Sequence, residues 1–265
     1  MINRVAIKEW NRVVPWSTAK QVEQDLIICR ALVAIFSDEF LAGELAFRGG
    51  TALHKLYLSP QPRYSEDIDL VQITAGPIKP IMQRLGEVLD FLPNKITKVK
   101  KHNNTMVFRM ESEIPPVMPI RLKVEINCKE HFNVLGLVKV PFKVECSWFS
   151  GECEITTYEL DELMGTKLRA LYQRKKGRDL FDMYRAMSQN LNPDRVIECY
   201  KRYMDFVVDN PPTYKQFIMN MEEKMADPDF VGDIAGLIRT DEDNRFDVAV
   251  AYEAVRATFI DRLKR

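Results

Sequence analysis

The chain has no charge imbalance: its 38 Lys and Arg residues match its 38 Asp and Glu residues across 265 positions. No global field therefore draws it toward nucleic acid or a membrane, and any contact with a polyanion must come from local patches. Metal-thiolate and disulfide signatures are also missing. The five cysteines (Cys29, Cys128, Cys146, Cys153, Cys199) form no CxxC pair and are odd in number. The three histidines, His54, His102 and His131, are too scattered to propose a zinc site. Reduced thiols in a cytosolic protein are the better reading. A cleavable signal is lacking, and the most apolar run, Leu26 to Phe36, is short and broken by Arg30. A cytoplasmic location without a membrane partner is expected. Internal repeats and low-complexity segments are absent as well. What remains is ordinary for a globular protein, with 46% hydrophobic and 29% charged residues. The length suffices for one large domain or two smaller ones.

Periodicity divides the chain. After a mixed segment with Trp10 and Trp16, a helix capped by Ser17 or Thr18 is predicted to run to about Asp38, its crowded apolar residues indicating burial. A strand ending at Arg48, a glycine turn, a short helix and a second strand around Asp67–Val71 follow, and then a helix over 78–91. Alternating runs at 95–101, 105–111, 120–127, 139–146 and 154–156 read as strands. From Tyr158 the pattern is helical, with helices predicted over 158–174, 179–190, 193–208, 213–225 and 246–263. Strands first and helices afterwards imply an α+β protein, divided into 1–155 and 156–265.

The most informative stretch is Phe47–Leu70, FRGGTALHKLYLSPQPRYSEDIDL. Gly49 and Gly50 permit backbone angles closed to other residues and let a ligand approach the main chain. Thr51 is expected to cap the helix that follows, and free N–H groups at a helix start attract phosphate. Asp67 and Asp69 are two apart in a strand, so they share a face while Ile68 and Leu70 enter a core. Neighbouring carboxylates in a half-buried strand repel and are costly to desolvate unless a cation bridges them. Hard oxygen ligands suit Mg²⁺ or Mn²⁺. Taken singly, the glycine pair could be a plain tight turn and the acidic pair a solvated strand end. Together they point to a nucleoside triphosphate held with a divalent metal.

Gly49-Gly50-Thr51 followed by Ser65-x-Asp67-x-Asp69 resembles the signature of the polymerase-beta-like nucleotidyltransferase superfamily. More narrowly, FRGGTALHK…RYSEDIDL is similar to the AbiEii/AbiGii (MenT-like) toxin family. The resemblance implies a mixed-sheet nucleotidyltransferase core with flanking helices, followed by a helical C-terminal domain. It implies nucleotidyl transfer from an NTP to an RNA acceptor, with the tRNA 3′ end the best guess, and restraint by an AbiEi-type antitoxin. In such a family Ser65 is a position that the antitoxin phosphorylates in some systems; a turn serine bonded to its own backbone is the alternative.

Three further positions extend the match. Glu125 sits in LKVEIN with Val124 and Ile126 pointing the other way, where the superfamily often places a third acid that binds metal or deprotonates the acceptor hydroxyl. Lys167 lies within or beside an apolar helical stripe of Leu160, Leu163, Met164, Leu168 and Leu171, so it either reaches water or meets an anion. TKLRALYQRKKGRDLFDMYR resembles the family's second motif block, with Lys167, Asp182 and the Arg178-Asp179 pair at the matching positions. On this reading Asp67, Asp69 and Glu125 bind two metal ions, Gly49, Gly50, Thr51 and Ser65 line the phosphates, Lys167 and Arg178 neutralise them, and Asp182 is catalytic. The basic residues Lys98, Lys100, Lys101 and Arg174–Arg178 could receive an RNA backbone. Asp241, Asp243 and Asp247 lack the glycine and terminal acid of a calcium loop. Two rival readings stay open: a small-molecule nucleotidyltransferase of the antibiotic-modifying kind, and a non-catalytic nucleotide- or RNA-binding module.

Overall fold

The computed structural model describes residues 2–240 and 246–264. The chain separates into two compact units, one built mainly from Met1–Asn133 and Leu137–Tyr158, the other mainly from Glu159–Ile238. Asp241 and Asp243 lie outside the described residues.

The first unit is a mixed sheet with helices. It contains α1 (Arg4–Trp10), α2 (Ala19–Phe36), α3 (Glu39–Glu44), β1 (Leu45–Arg48) and a single α turn, α4 (Gly49–Ala52), that runs on into a π-helical turn over Leu53–Tyr57. Then come β2 (Asp67–Gln72), α5 (Ile78–Val88), β3 (Ile96–Lys98), β4 (Asn103–Glu111), β5 (Pro119–Asn127), β6 (Leu137–Glu145) and β7 (Ser150–Tyr158). The strand order is β3-β4-β5-β2-β1-β7-β6. β2 is central, antiparallel to β1 and parallel to β5. Alternation places Leu122, Val124 and Ile126 of β5, and Ile68 and Leu70 of β2, in the core, and turns Lys123, Glu125, Asp67 and Asp69 to the opposite face.

Helix α2 begins at a capping box, Thr18 with Gln21, and is buried along most of its length. Its buried polar residues explain where it is fixed. The Gln24 amide donates to the Glu66 carbonyl at 3.2 Å and the Arg121 carbonyl at 3.0 Å, and so clamps the entries to β2 and β5. Asp25 accepts from Trp10 Nε1 at 2.9 Å and pairs with Lys55 Nζ at 2.7 Å, both charges being almost wholly enclosed. The π-helical turn carries Lys55, so this pair ties α2 to the segment after the glycine turn.

The second unit is helical: α6 (Leu160–Gln173), α7 (Gly177–Ala186), α8 (Pro193–Val207), α9 (Tyr214–Met225), the short α10 (Pro228–Gly232), α11 (Val248–Thr258) and a 3₁₀ turn over Ile260–Lys264. Gly165 lets α6 and α8 approach closely, since a Cβ there would stand 2.5 Å from Cys199 Cβ and 2.9 Å from the Val196 carbonyl oxygen. Lys224 closes the C-terminus of α6 by donating to the Leu171 and Tyr172 carbonyls, and burial lowers its ammonium to about 8. Asp247 caps α11 by accepting from Ala249 N and Val250 N.

The long elements follow the sequence pattern. Helices α1, α3 and α10 do not stand out in it, because five to seven residues carry too little periodicity. β7 extends beyond the expected 154–156 because its buried half, Ile155–Tyr158, runs beside β1 and loses the alternation. Among the described residues no helix is long and apolar enough to cross a membrane. Removing the Asp25 carboxylate would strand the Lys55 charge in the core. Asp25→Ala is expected to cost about 3–5 kcal/mol, read as a lowered urea midpoint with an unchanged slope.

Candidate active site

The site of the first unit starts at the end of β1. Antiparallel pairing sets Arg48 opposite Asp69, after which the chain must turn out of the sheet at once. Gly49 does this with a φ of +82°, and a Cβ there would fall 2.5 Å from Asp69 Oδ2. Glycine is thus required both for the backbone angle and for the closeness of the carboxylate. At Gly50 a Cβ would meet Arg63 Nη2 at 2.8 Å and Ser65 Oγ at 3.3 Å, so both glycines sit against the residues leading into β2.

Thr51 behaves differently from the sequence expectation. The helix begins at Gly49 with Arg48 in the cap position and no side-chain cap. Thr51 therefore lies inside the first turn, where its hydroxyl bonds the Asp67 carbonyl and stands 2.9 Å from Ser65 Oγ. It fastens the glycine turn to the start of β2. Ser65, partly exposed, belongs to this hydroxyl pair.

The register of the sheet then composes a charged row. Arg48 of β1, Asp69 of β2, Glu125 of β5, Thr105 of β4 and Lys98 of β3 are successive partners across the strands. One row over, Asp67 is registered with Lys123. Asp67, Asp69 and Glu125 consequently share one face. Lys123 stands among them, with its Nζ 3.0 Å from Asp67 Oδ2 and 3.3 Å from Glu125 Oε2. Asn103 Nδ2 donates to the other Glu125 oxygen at 3.3 Å. Burial pushes the Asp69 carboxyl up and the Asp67 charge adds to this, while Lys123 and Arg48 act in the opposite sense. Arg48 is itself paired with Glu130.

The residues present fit a hard divalent cation. Asp67 and Asp69 offer oxygen donors on one face, and the Gly49 cradle leaves open the space beside Asp69 that any Cβ would fill. Among the described residues no three His, Cys, Asp or Glu side chains form a ready cage. Two carboxylates completed by substrate phosphate oxygens are the usual Mg²⁺ arrangement.

The second unit holds a different charged group. Lys167 Nζ lies 2.8 Å from Asp182 Oδ2 and 3.2 Å from Asp179 Oδ1, both acids being fully buried. Arg174 grips Asp179 through two bonds of 2.6 and 2.7 Å. Burial alone would raise the Asp179 carboxyl, but Lys167 and Arg174 together hold it below the usual carboxylate range. Asp179 therefore serves as a counter-ion rather than as a helix cap, and Asp182 pairs with Lys167. Arg178 pairs with Asp233 at 3.6 Å. Lys175 pairs with Asp227 and Lys176 shares Asp233 with Arg178, so every base of the run 174–178 has an acid partner. Lys98, Lys100 and Lys101 are exposed.

Lys123, Arg48, Arg63 and Asn103 do not figure in the sequence reading of the site. Lys123 had a usable signal, since it lies two residues before Glu125 and so shares its face. Arg48 and Asn103 acquire their positions only from strand pairing.

Because the folded state disfavours the charged form of Asp69, stability falls as pH rises from about 4, the ordinary Asp value, through the raised folded value, and the deficit persists above it. Asp69→Asn removes that deficit. In metal-free buffer at neutral pH the variant is expected to melt a few degrees higher than wild type, with no difference below about pH 4. Melting curves across pH check both halves.

Comparison with known proteins gives the fold and the family. MenT4, a nucleotidyltransferase toxin from Mycobacterium tuberculosis H37Rv, superposes with a TM-score of 0.55 at 14% identity, covering 96% of this chain and 99% of that one. JHP933 from Helicobacter pylori superposes with a TM-score of 0.54 at 17% identity, covering 94% and 93%. At such identities the likeness establishes the fold alone. No curated protein matches in sequence. The family model described as nucleotidyl transferase AbiEii toxin, type IV toxin–antitoxin system, matches residues 30–252, and by that match the chain belongs to the AbiEii nucleotidyltransferase toxin family.

Proposed function

We propose that the enzyme transfers a nucleoside monophosphate from an NTP to a hydroxyl of RNA, with the tRNA 3′ end as acceptor, using Mg²⁺ or Mn²⁺. Family membership makes the chain a nucleotidyltransferase and carries with it an NTP substrate, a divalent metal and an antitoxin partner. The metal, acceptor and residue roles are the proposal. The observation that carries it is the placing of Asp67 and Asp69 on one strand face against the Gly49 turn.

Asp67 and Asp69 would hold the metal, with Glu125 available beside them. The metal supplies charge neutralisation on the phosphates and alignment of the attacking and leaving oxygens. The Gly49-Gly50-Thr51 turn would admit the phosphates close to the main chain, with Ser65 beside it. In the reaction the acceptor oxygen bonds to the α-phosphorus, the bond from that phosphorus to the bridging oxygen breaks, and pyrophosphate leaves. The hydroxyl proton would pass to a carboxylate, for which Glu125 is suited because it lies one strand further from the Gly49 turn than Asp67 and Asp69. Lys167, with Asp182 and Asp179 orienting its ammonium, would meet phosphate charge. Arg178 is kept as a nucleotide contact only if Asp233 releases it.

Support for an RNA acceptor comes from the row itself. Lys98 is two strands beyond Glu125 and three beyond Asp69, roughly 10 and 14 Å at ordinary strand spacing. Together with exposed Lys100 and Lys101 it offers a basic edge that a backbone could follow to the carboxylates. A small-molecule acceptor has no use for such an edge. The partner would be an AbiEi-type antitoxin.

Incubation with each labelled NTP, Mg²⁺ and total tRNA is expected to give labelled tRNA and pyrophosphate. Asp67→Asn or Asp69→Asn is expected to lower the rate by about a thousandfold or more, consistent with loss of metal-assisted charge stabilisation. No transfer to tRNA, but transfer to a small hydroxyl compound, would favour the other acceptor class. Absence of pyrophosphate with every NTP would reject catalysis.

A further inference from the structure

Lys123 is the feature of the site that the proposed roles leave unused. It is a half-buried lysine whose ammonium bridges Asp67 and Glu125, from different strands, at 3.0 and 3.3 Å. The parallel register of β2 and β5 fixes this arrangement: Lys123 is the strand partner of Asp67 and lies two residues before Glu125, so its ammonium comes out between the two acids. On the outer side Asn103 holds the remaining Glu125 oxygen. Glu125 thus has both oxygens engaged by the protein, whereas Asp69 stands against the open Gly49 cradle.

We propose that Lys123 is an exchangeable internal counter-ion of the catalytic carboxylates. It balances Asp67 and Glu125 in the metal-free enzyme and competes with divalent cations for them. The inference rests on the reading of Asp67 and Asp69 as metal ligands. Cations would first meet the Asp67–Asp69 side, and Glu125 would become a ligand only when Lys123 swings away. The swing is short for a four-carbon stem with three rotatable donors. Lys123 is a positioning residue: it sets how tightly the metal is held and keeps the like charges from destabilising the fold between turnovers.

A neutral side chain of similar length tests this without touching a proposed ligand. The measurement is Mn²⁺ binding to the full chain without nucleotide, by titration of the free-ion electron spin resonance signal, alongside melting curves with and without Mn²⁺. For Lys123→Met the metal-free melting temperature is expected to fall, and Mn²⁺ affinity to rise by about tenfold or more as a competing unit charge at ion-pair distance is lost. The Mn²⁺-induced rise in melting temperature should grow accordingly. Lys123→Arg, which retains the charge, should stay near wild type. A purely structural lysine would lower the melting temperature without tightening Mn²⁺. Should Lys123→Met not fold, Lys123→Gln, which keeps a donor for the acids, is read by the same criterion. Equal or weaker Mn²⁺ binding by the neutral variant, with wild type binding normally, overturns the role of Lys123 alone. If neither wild type nor the variant binds Mn²⁺ more tightly than the Asp67→Asn/Asp69→Asn protein, the metal reading itself falls and takes the inference with it.

Discussion

Like charges held together on a half-buried face form the constraint on which the first unit depends. Asp67, Asp69 and Glu125 stand on adjacent strands, and each would be easier to accommodate alone in water. The protein offsets their repulsion with Lys123 between two of them and Arg48 beside the third. Surrounding elements fix the position of the acids. Gln24 of α2 bonds the chain on entry to β2, Thr51 bonds the Asp67 carbonyl, and the Gly49 turn leaves space against Asp69. Each of these contacts stabilises the arrangement of the acidic face.

The helical unit treats a similar problem in the opposite way. Asp179 and Asp182 are more deeply buried than the acids of the sheet, but Lys167 and Arg174 accompany them. Their charges are satisfied within the unit, so the carboxyl of Asp179 is held below its ordinary range, whereas that of Asp69 is pushed above it. A depressed acid favours folding over most of the pH range and a raised one opposes it. In the first case Lys167 and Arg174 stabilise the charged form against burial. In the second, burial disfavours the charged form and the Asp67 charge adds to this, against Lys123 and Arg48.

Relatives of known structure share the fold over almost the whole length at only 14 to 17% identity. So few identical positions suffice because the architecture is set by alternation and helical periodicity, which many side chains satisfy equally well.

Much of this was readable in the chain alone. The α+β order, the strand ending at Arg48, the shared face of Asp67 and Asp69 and the outward side of Glu125 all follow from period-two and period-3.6 patterns, which are local. The family followed from the resemblance of FRGGTALHK…RYSEDIDL and TKLRALYQRKKGRDLFDMYR to the AbiEii-type motif blocks. Long-range pairing decided the rest. Only the parallel register of β2 and β5 turns Lys123 from an exposed strand lysine into the partner of Asp67 and Glu125, and only helix packing commits Lys167 to Asp179 and Asp182. Thr51 became a strand anchor instead of a cap because the helix opened three residues earlier than its sequence suggests. Local patterns fix which face a side chain takes; which opposite charge it meets there is settled by segments distant in sequence, whose approach no spacing rule encodes.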